Sequence, residues 1–242
     1  MKNIAAFFDI DGTLYREGLI TEVFKKFVTY ELVDRNKWFD EVRPSFNKYD
    51  RRIGEYDDYL RKMVDIYTDT LIGLSKEHVL HIANKVIEQK GERVYVFTRN
   101  EIARHKDNNH FVFTISGSPY ELVQAMAKKH NFDDFKGTIY VTDETDHYTG
   151  EVIPMWDHKS KEKAIKEFVE KYNIDLSKSY AYGDTTGDFT MFELVGHPYA
   201  INPTKELLEK IISSPSVKEK IKVIVERKNV IYQINLDNIQ IY

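Results

Sequence analysis

Two spacings of apolar residues divide the chain. From Ala5 to Phe8 every position is apolar, and the run then ends in two aspartates two apart, Asp9 and Asp11, followed by Gly12. A short unbroken apolar run predicts a strand buried on both faces. Ending such a strand in carboxylates is costly unless they are used or paired. A capped turn at Asp9–Gly12 is the plain alternative at this point.

Beyond Leu14 the spacing becomes helical. Ile20, Val23, Phe24, Phe27 and Val28 form one stripe, with Glu22, Lys25 and Lys26 opposite. Trp38, Phe39, Val42 and Phe46 form a second, and Tyr56, Tyr59, Leu60, Met63, Val64 and Tyr67 a third. A fourth (Val79, Leu80, Ala83, Val86, Ile87) follows Ser75, a residue suited to capping. Residues 15–90 therefore read as a helical insert placed directly after the first strand.

After the insert, helix and strand alternate. A helix is expected over Val94–Arg104, then a strand over His110–Ile115 closed by Ser116–Pro119, then a helix through Leu122, Val123 and Met126. Thr138–Val141 reads as a strand, with a hairpin suggested by Thr149–Gly150 returning through Glu151–Val152. A helix through Ala164, Ile165, Phe168 and Val169 leads to a strand over Ser179–Tyr182 that stops at Gly183–Asp184. A short helix with Phe192 and Leu194, a strand at Tyr199–Ile201 and a helix opened by Pro203 follow; Val230–Tyr242 is expected to add an edge hairpin. Strands alternating with helices predict an α/β fold with a doubly wound, Rossmann-like parallel sheet. The expected domains are a discontinuous core, residues 1–14 and 91–242, and a helical domain, residues 15–90.

Composition narrows the function. With 42% apolar residues in 242, the chain can bury a large core. A net charge of −4 argues against non-specific nucleic-acid binding. The absence of cysteine removes disulfides and thiolate metal sites, and fits a reducing compartment. No apolar run approaches the roughly 18 residues of a membrane span, and the leading run is too short for a signal peptide, so a soluble cytoplasmic protein is expected.

In doubly wound sheets ligands bind at the carboxyl ends of the strands. Those ends carry Asp9 and Asp11, Ser116 and Gly117, and Asp184 with Asp188; the loop and helix start before Ala164 add Asp157, His158, Lys159 and Lys161. Carboxylate oxygens suit a hard divalent cation such as Mg2+, and hydroxyl, amide and ammonium groups suit phosphate oxygens.

Phe8-Asp9-Ile10-Asp11-Gly12-Thr13-Leu14 resembles the first motif of the haloacid dehalogenase superfamily. Thr114–Ser118 is similar to its second motif and Tyr182–Asp188 to its fourth. The helical insert resembles the C1 cap, and Gly196–Pro203 resembles a stretch of phosphoserine-phosphatase-like members, subfamily IB. The resemblance spans about residues 4–210. It implies an enzyme: a Mg2+-dependent phosphatase acting on a small soluble phosphate ester through an aspartyl-phosphate. Asp9 would be the nucleophile and Asp11 the general acid/base. Asp9, the Asp11 backbone carbonyl and Asp184 would hold the metal, with Asp188 and Thr13 supporting this shell. Ser116, Gly117 and a lysine would bind the phosphoryl oxygens. An ungapped match of the third motif falls on Lys161, with Lys159 the alternative.

Other polar residues read as structural. Asp143, Glu144 and Asp146 are expected in a solvated loop, His147 and His158 at the surface, and Arg99 and Arg104 in pairs with nearby acids. Arg51, Arg52 and Arg61 of the insert can meet an anionic substrate group or simply face solvent. The chain departs from phosphoserine phosphatases at Gly18, where they carry a glutamate, and has Gly187 where many relatives have asparagine. Phosphoryl transfer to another acceptor, or a non-catalytic phosphate-binding module, are the competing readings; the second would be expected to lack Asp9, Asp11 or Asp184.

Overall fold

The computed structural model describes residues 2–54 and 56–239, without the side chains of residues 56 and 57. The stripe position Tyr56, as a side chain, and residues 240–242 of the expected edge hairpin lie outside that description. Strand β1 (Ala5–Phe8) lies in the middle of the fold, each residue fully buried as its unbroken apolar run predicts. Next come α1 (Leu19–Thr29), a π-helical turn (Lys37–Val42) running into α2 (Arg43–Asp50), α3 (Tyr56–Leu71) and α4 (Lys76–Lys90). The alternating part comprises α5 (Val96–Asp107), β2 (Phe111–Pro119), α6 (Tyr120–Lys129), β3 (Asp134–Thr142), β4 (Tyr148–Ile153), α7 (His158–Tyr172) and β5 (Tyr180–Gly183). It closes with α8 (Phe189–Leu194), β6 (His197–Ile201), α9 (Lys205–Ile212), α10 (Pro215–Lys218), β7 (Lys222–Arg227) and β8 (Val230–Ile234).

The eight strands form one sheet in the order β4-β3-β2-β1-β5-β6-β7-β8. Six are mutually parallel, and β4 and β8 add antiparallel edges. The α/β, Rossmann-like architecture is the one the alternation predicts. Successive β1 side chains point to opposite faces. Ala5 and Phe7 join Phe113, Phe168 and Phe192 under α7 and α8. Ala6 and Phe8 join a cluster that runs without a break into α1, α3 and α4. Phe8 stacks on Tyr182 of β5 with ring centroids 4.2 Å apart, which ties the first strand end to the strand carrying Asp184.

Three local expectations need correction. The β3–β4 turn is at residues 143–147, where Asp143 Oδ1 accepts the amides of Thr145 and His147; Thr149–Gly150 lie within β4. Helix α5 starts at Val96 rather than Val94, because Val94 and Tyr95 pair with the chain leaving β1. The C-terminal hairpin joins β7 to β8 with its bend at Lys228 (φ 56°), and Asp237–Asn238 form a 3-10 turn held by Asn235. That strand β7 is short and charged at both ends, so its apolar run gives a weak signal.

The chain enters and leaves the helical insert through two paired segments. The Tyr95 amide donates to the Leu14 carbonyl (2.9 Å) and the Arg16 amide to the Arg93 carbonyl (3.1 Å). Arg16 also donates from Nε to the Val94 carbonyl and from Nη2 to buried Glu226 of β7, both at 3.0 Å. Glu226 in turn accepts the Val96 and Phe97 amides at the start of α5, where a helix favours negative charge.

Candidate active site

The carboxyl ends of β1, β2 and β5 and the start of α7 converge on one cavity. The Asp9 amide donates to the Tyr182 carbonyl at 2.9 Å and so extends the β1–β5 ladder as far as the first carboxylate. Gly12 then turns the chain with φ 83°, a conformation that favours glycine. A β-carbon there would also lie 2.0 Å from Asp184 Oδ2, so the site has room for no other residue. Thr13 donates from Oγ1 to Asp184 Oδ1 (3.0 Å), and Thr98 holds the Thr13 carbonyl (2.8 Å).

Lys161 is buried in the first turns of α7, where Asp157 caps the helix by accepting the Lys159 and Ser160 amides. Its ammonium donates to Asp9 Oδ1 at 2.9 Å and to Asp188 Oδ1 at 2.5 Å. Lys159 is exposed. Asp188 uses its other oxygen to accept the amides of Asp184 and Thr185, both at 3.0 Å. Asp188 is thus saturated and serves to fix both Lys161 and the Asp184 loop. Asp9, Asp184 and Asp188 present carboxylate oxygens within 4.8 Å of one another. Among the described residues no donor reaches Asp9 Oδ2 or Asp184 Oδ2, and no hydrogen bond ends on the Asp11 carbonyl oxygen.

Three carboxylates against one lysine set the charge balance. Burial, reinforced by Asp188 and Asp11 and opposed by Lys161, raises Asp9 to about 8. Burial, with Asp9 and Asp188 adding to it, holds Asp184 well above the usual carboxylate range. Burial alone would push Lys161 down, but Asp188 and Asp9 keep it above its ordinary value. An all-oxygen donor set with excess negative charge and two unclaimed carboxylate oxygens fits a hard divalent cation.

Asp11 sits beside this group with different partners. Its Oδ1 accepts the Leu19 amide at the start of α1 (2.7 Å), and its Oδ2 accepts the Ser118 hydroxyl (2.5 Å) and, more loosely, that of Ser116 (3.4 Å). Burial raises its pKa, and the Ser118 and Leu19 bonds oppose the rise. The β2–β3 register breaks between Ile115 and Pro119, and in this stretch the Ser116 and Ser118 hydroxyls turn toward Asp11 while Gly117 faces Trp156. Ser118 has no role in the sequence reading. Its signal was a second serine two residues on, which places both hydroxyls on one side of an extended segment.

These groups floor a cavity of about 1710 Å3 between the sheet and the helical insert. Arg52, Arg61 and Ile53 of the insert and Trp156, His158 and Lys205 of the core line its mouth. Arg52 and Arg61 are exposed and make no ion pair among the described residues. Arg51 is exposed and does not line the cavity. Arg104 pairs with Glu101 at 2.6 Å, as expected of it. Asp143, Glu144, Asp146 and His147 form an exposed turn away from the site. A smaller hollow of about 430 Å3 on the insert, bordered by Ser45, Lys48 and Asp65, holds none of the strand-end groups.

A family model described as haloacid dehalogenase-like hydrolase matches residues 6–193, which include the ends of β1, β2 and β5 and the start of α7. The chain is 26% identical over 88% of its length to the inhibition of morphological differentiation protein of Streptomyces azureus, covering 76% of that protein. It is 27% identical over 84% of its length to a probable phosphatase of Mycobacterium tuberculosis, covering 70% of it. Among solved structures, a Bordetella pertussis protein of unknown function aligns with a TM-score of 0.71 at 16% identity, over 91% of this chain and 98% of that one. A phosphoserine phosphatase holding a phospho-aspartyl intermediate analogue aligns with a TM-score of 0.58 at 19% identity, over 94% and 95% of the two chains. At those identities the likeness of the structures is one of fold.

Proposed function

This chain belongs to the haloacid dehalogenase-like hydrolase family, and from that premise we propose that it is a Mg2+-dependent phosphatase of small phosphomonoesters, with the helices of residues 15–90 as its cap. The observation that carries the reading is the floor of the cavity: among the described residues no donor reaches one carboxylate oxygen of Asp9 and one of Asp184, beside a buried lysine. A structural cluster would use those oxygens internally, because unpaired buried carboxylates are costly.

Asp9 attacks phosphorus, the bond from phosphorus to the ester oxygen breaks, and an aspartyl-phosphate is left on Asp9. Asp11 gives the departing alkoxide its proton. The shielding that raises its pKa favours the protonated form this step needs, and Ser118 and Leu19 hold its carboxyl in place. In the second half Asp11 takes a proton from water, the water oxygen attacks phosphorus, and the bond to Asp9 Oδ breaks to release phosphate. Lys161 holds Asp9 in line and offers its charge to the phosphoryl oxygens, together with the Ser116 hydroxyl and the Gly117 amide. Asp9, Asp184 and the Asp11 carbonyl would hold the cation. When bound it offsets the repulsion between a phosphate dianion and an anionic nucleophile. Arg52, Arg61 and Lys205 at the mouth draw anionic substrates inward.

The test is phosphate release with Mg2+ from a panel of phosphomonoesters covering phosphoserine, sugar phosphates and nucleotides. We expect turnover of some members, loss on chelation, and a decrease of roughly 10³-fold or more in Asp9→Asn. Full activity in that variant removes the nucleophile assignment.

A further inference from the structure

Among the described residues, Trp156 is the large aromatic side chain that the core presents to the mouth of the cavity while leaving it 48% exposed. It stands between β4 and α7, two residues after the last proline before the helix and directly before the Asp157 cap. An aromatic ring at a cavity mouth offers a large flat apolar face with a polar N–H at its edge, a combination suited to contact with a ligand.

Its backbone is held with little freedom. A β-carbon on Gly117 would come 2.9 Å from Trp156 Cβ, and one on Gly187 would come 2.9 Å from the Trp156 carbonyl oxygen. The segment therefore passes between the second and fourth strand-end loops, and both loops need glycine to let it through. The Trp156 backbone and Cβ are thereby placed beside Ser116–Ser118 and the loop that follows Asp184, the groups around the reacting phosphoryl. Its ring makes no aromatic contact and its N–H no hydrogen bond among the described residues. The ring face is thus available to a ligand.

The cavity is also larger than a small substrate needs. At about 1710 Å3 it exceeds the roughly 300–1,000 Å3 usual for small-molecule sites. Across the opening lie Ile53, 72% exposed, and Tyr49 of the insert.

We propose that Trp156 is a specificity-determining residue and that the preferred leaving group carries a flat aromatic ring which stacks on its indole, as in a nucleotide. The inference rests on the phosphatase reading and adds the class of leaving group. Aromatic stacking of this kind contributes about 1–3 kcal/mol per base in other proteins, which converts to about fivefold or more in kcat/KM. Trp156 touches the leaving group and takes no part in bond making.

The experiment compares adenosine 5′-monophosphate with ribose 5-phosphate, two primary phosphate esters that differ by the ring. The wild-type enzyme is expected to prefer the nucleotide by about tenfold in kcat/KM. Trp156→Ala should lose most of that preference through KM and leave ribose 5-phosphate within about twofold; Trp156→Phe should keep it. A wild-type preference for ribose 5-phosphate, or an equal loss on both substrates, overturns the proposal; the equal loss would make Trp156 a contact of cap closure instead. A binding measurement separates this proposal from the phosphatase reading. In Asp9→Asn, adenosine 5′-monophosphate should quench indole fluorescence, and the quench should vanish in Asp9→Asn combined with Trp156→Phe, because Trp38 is the only other tryptophan. Quenching without turnover of any phosphomonoester would uphold the ring site and remove the phosphatase reading. Turnover of other phosphomonoesters with no quench would do the reverse.

Discussion

The floor and the mouth of the cavity are built on opposite rules. At the floor, Asp9, Lys161, Asp184 and Asp188 are buried, and among the described residues Asp9 Oδ2 and Asp184 Oδ2 are the side-chain polar atoms of this group left without a partner. At the mouth, Arg52 and Arg61 are exposed without an ion pair among the described residues, and Ile53 and Trp156 show apolar surface to solvent. Buried charges stand in a low effective dielectric, so each one depends on the others for both position and stability. Exposed charges are screened and interchangeable, and they can change without endangering the fold. A site arranged this way can hold its chemistry constant while its substrate preference changes.

The largest effect that distinguishes the two regions is expected from Lys161→Met. It leaves Asp9 and Asp188 facing each other without a counter-charge. Turnover should fall on the order of 10³-fold and the melting temperature by roughly 10 °C, read by calorimetry beside the phosphate assay. A stable, active variant would mean that the floor is no tighter than the mouth. Asp11→Asn tests the chemistry without the fold, since the amide oxygen can still accept the Leu19 amide while the amide NH2 donates to the Ser118 hydroxyl. We expect a loss of about 10²–10⁴ in kcat with an unchanged melting temperature.

Metal binding sharpens the same contrast without relying on activity. Millimolar Mg2+ should raise the melting temperature of the wild type, since a ligand bound to the native state stabilises it, and should leave Asp184→Asn nearly unmoved. At the mouth, Arg52→Ala and Arg61→Ala should raise KM several-fold at low salt, with the difference shrinking as salt rises and stability unchanged.

The smallest effect concerns the layer behind the floor. His105 is fully buried and bonds to the Tyr182 hydroxyl and to His110, with Arg104, Glu101 and Tyr180 around it. Burial, with the charge of Arg104, lowers it to about 3. The unfolded chain takes up this proton near pH 6.5 while the folded one does not, so stability is lost as pH falls from about 6.5 toward 3. His105→Gln should lower the melting temperature modestly at neutral pH and flatten its decline in acid. An equally steep decline in that variant would place the acid sensitivity elsewhere.

Much of this was legible beforehand because buried strands advertise themselves. The Ala5–Phe8 run and the Gly183–Asp184 stop mark the ends of parallel strands, and the fold rule places ligands there. Ser118, Glu226 and Trp156 were not legible in the same way. Ser118 takes part because a break in strand register turns it toward Asp11, 107 residues earlier in the chain. Glu226 matters because β7, four strands from β2 in the sheet, brings it under Arg16. The Ser116-x-Ser118 spacing puts both hydroxyls on one side but does not say what they face, and Glu226 has no local signature.

The sequence by itself determined the class of fold, the order of its elements and the set of strand-end carboxylates, because hydrophobic period and strand termination are local properties. Tertiary structure alone decided which lysine meets Asp9, how Asp188 divides its oxygens between Lys161 and the Asp184 loop, and which residues face the cavity mouth. Those outcomes depend on distances between segments far apart in the chain, and pairwise geometry of that kind is set only when the sheet closes and the helices pack upon it.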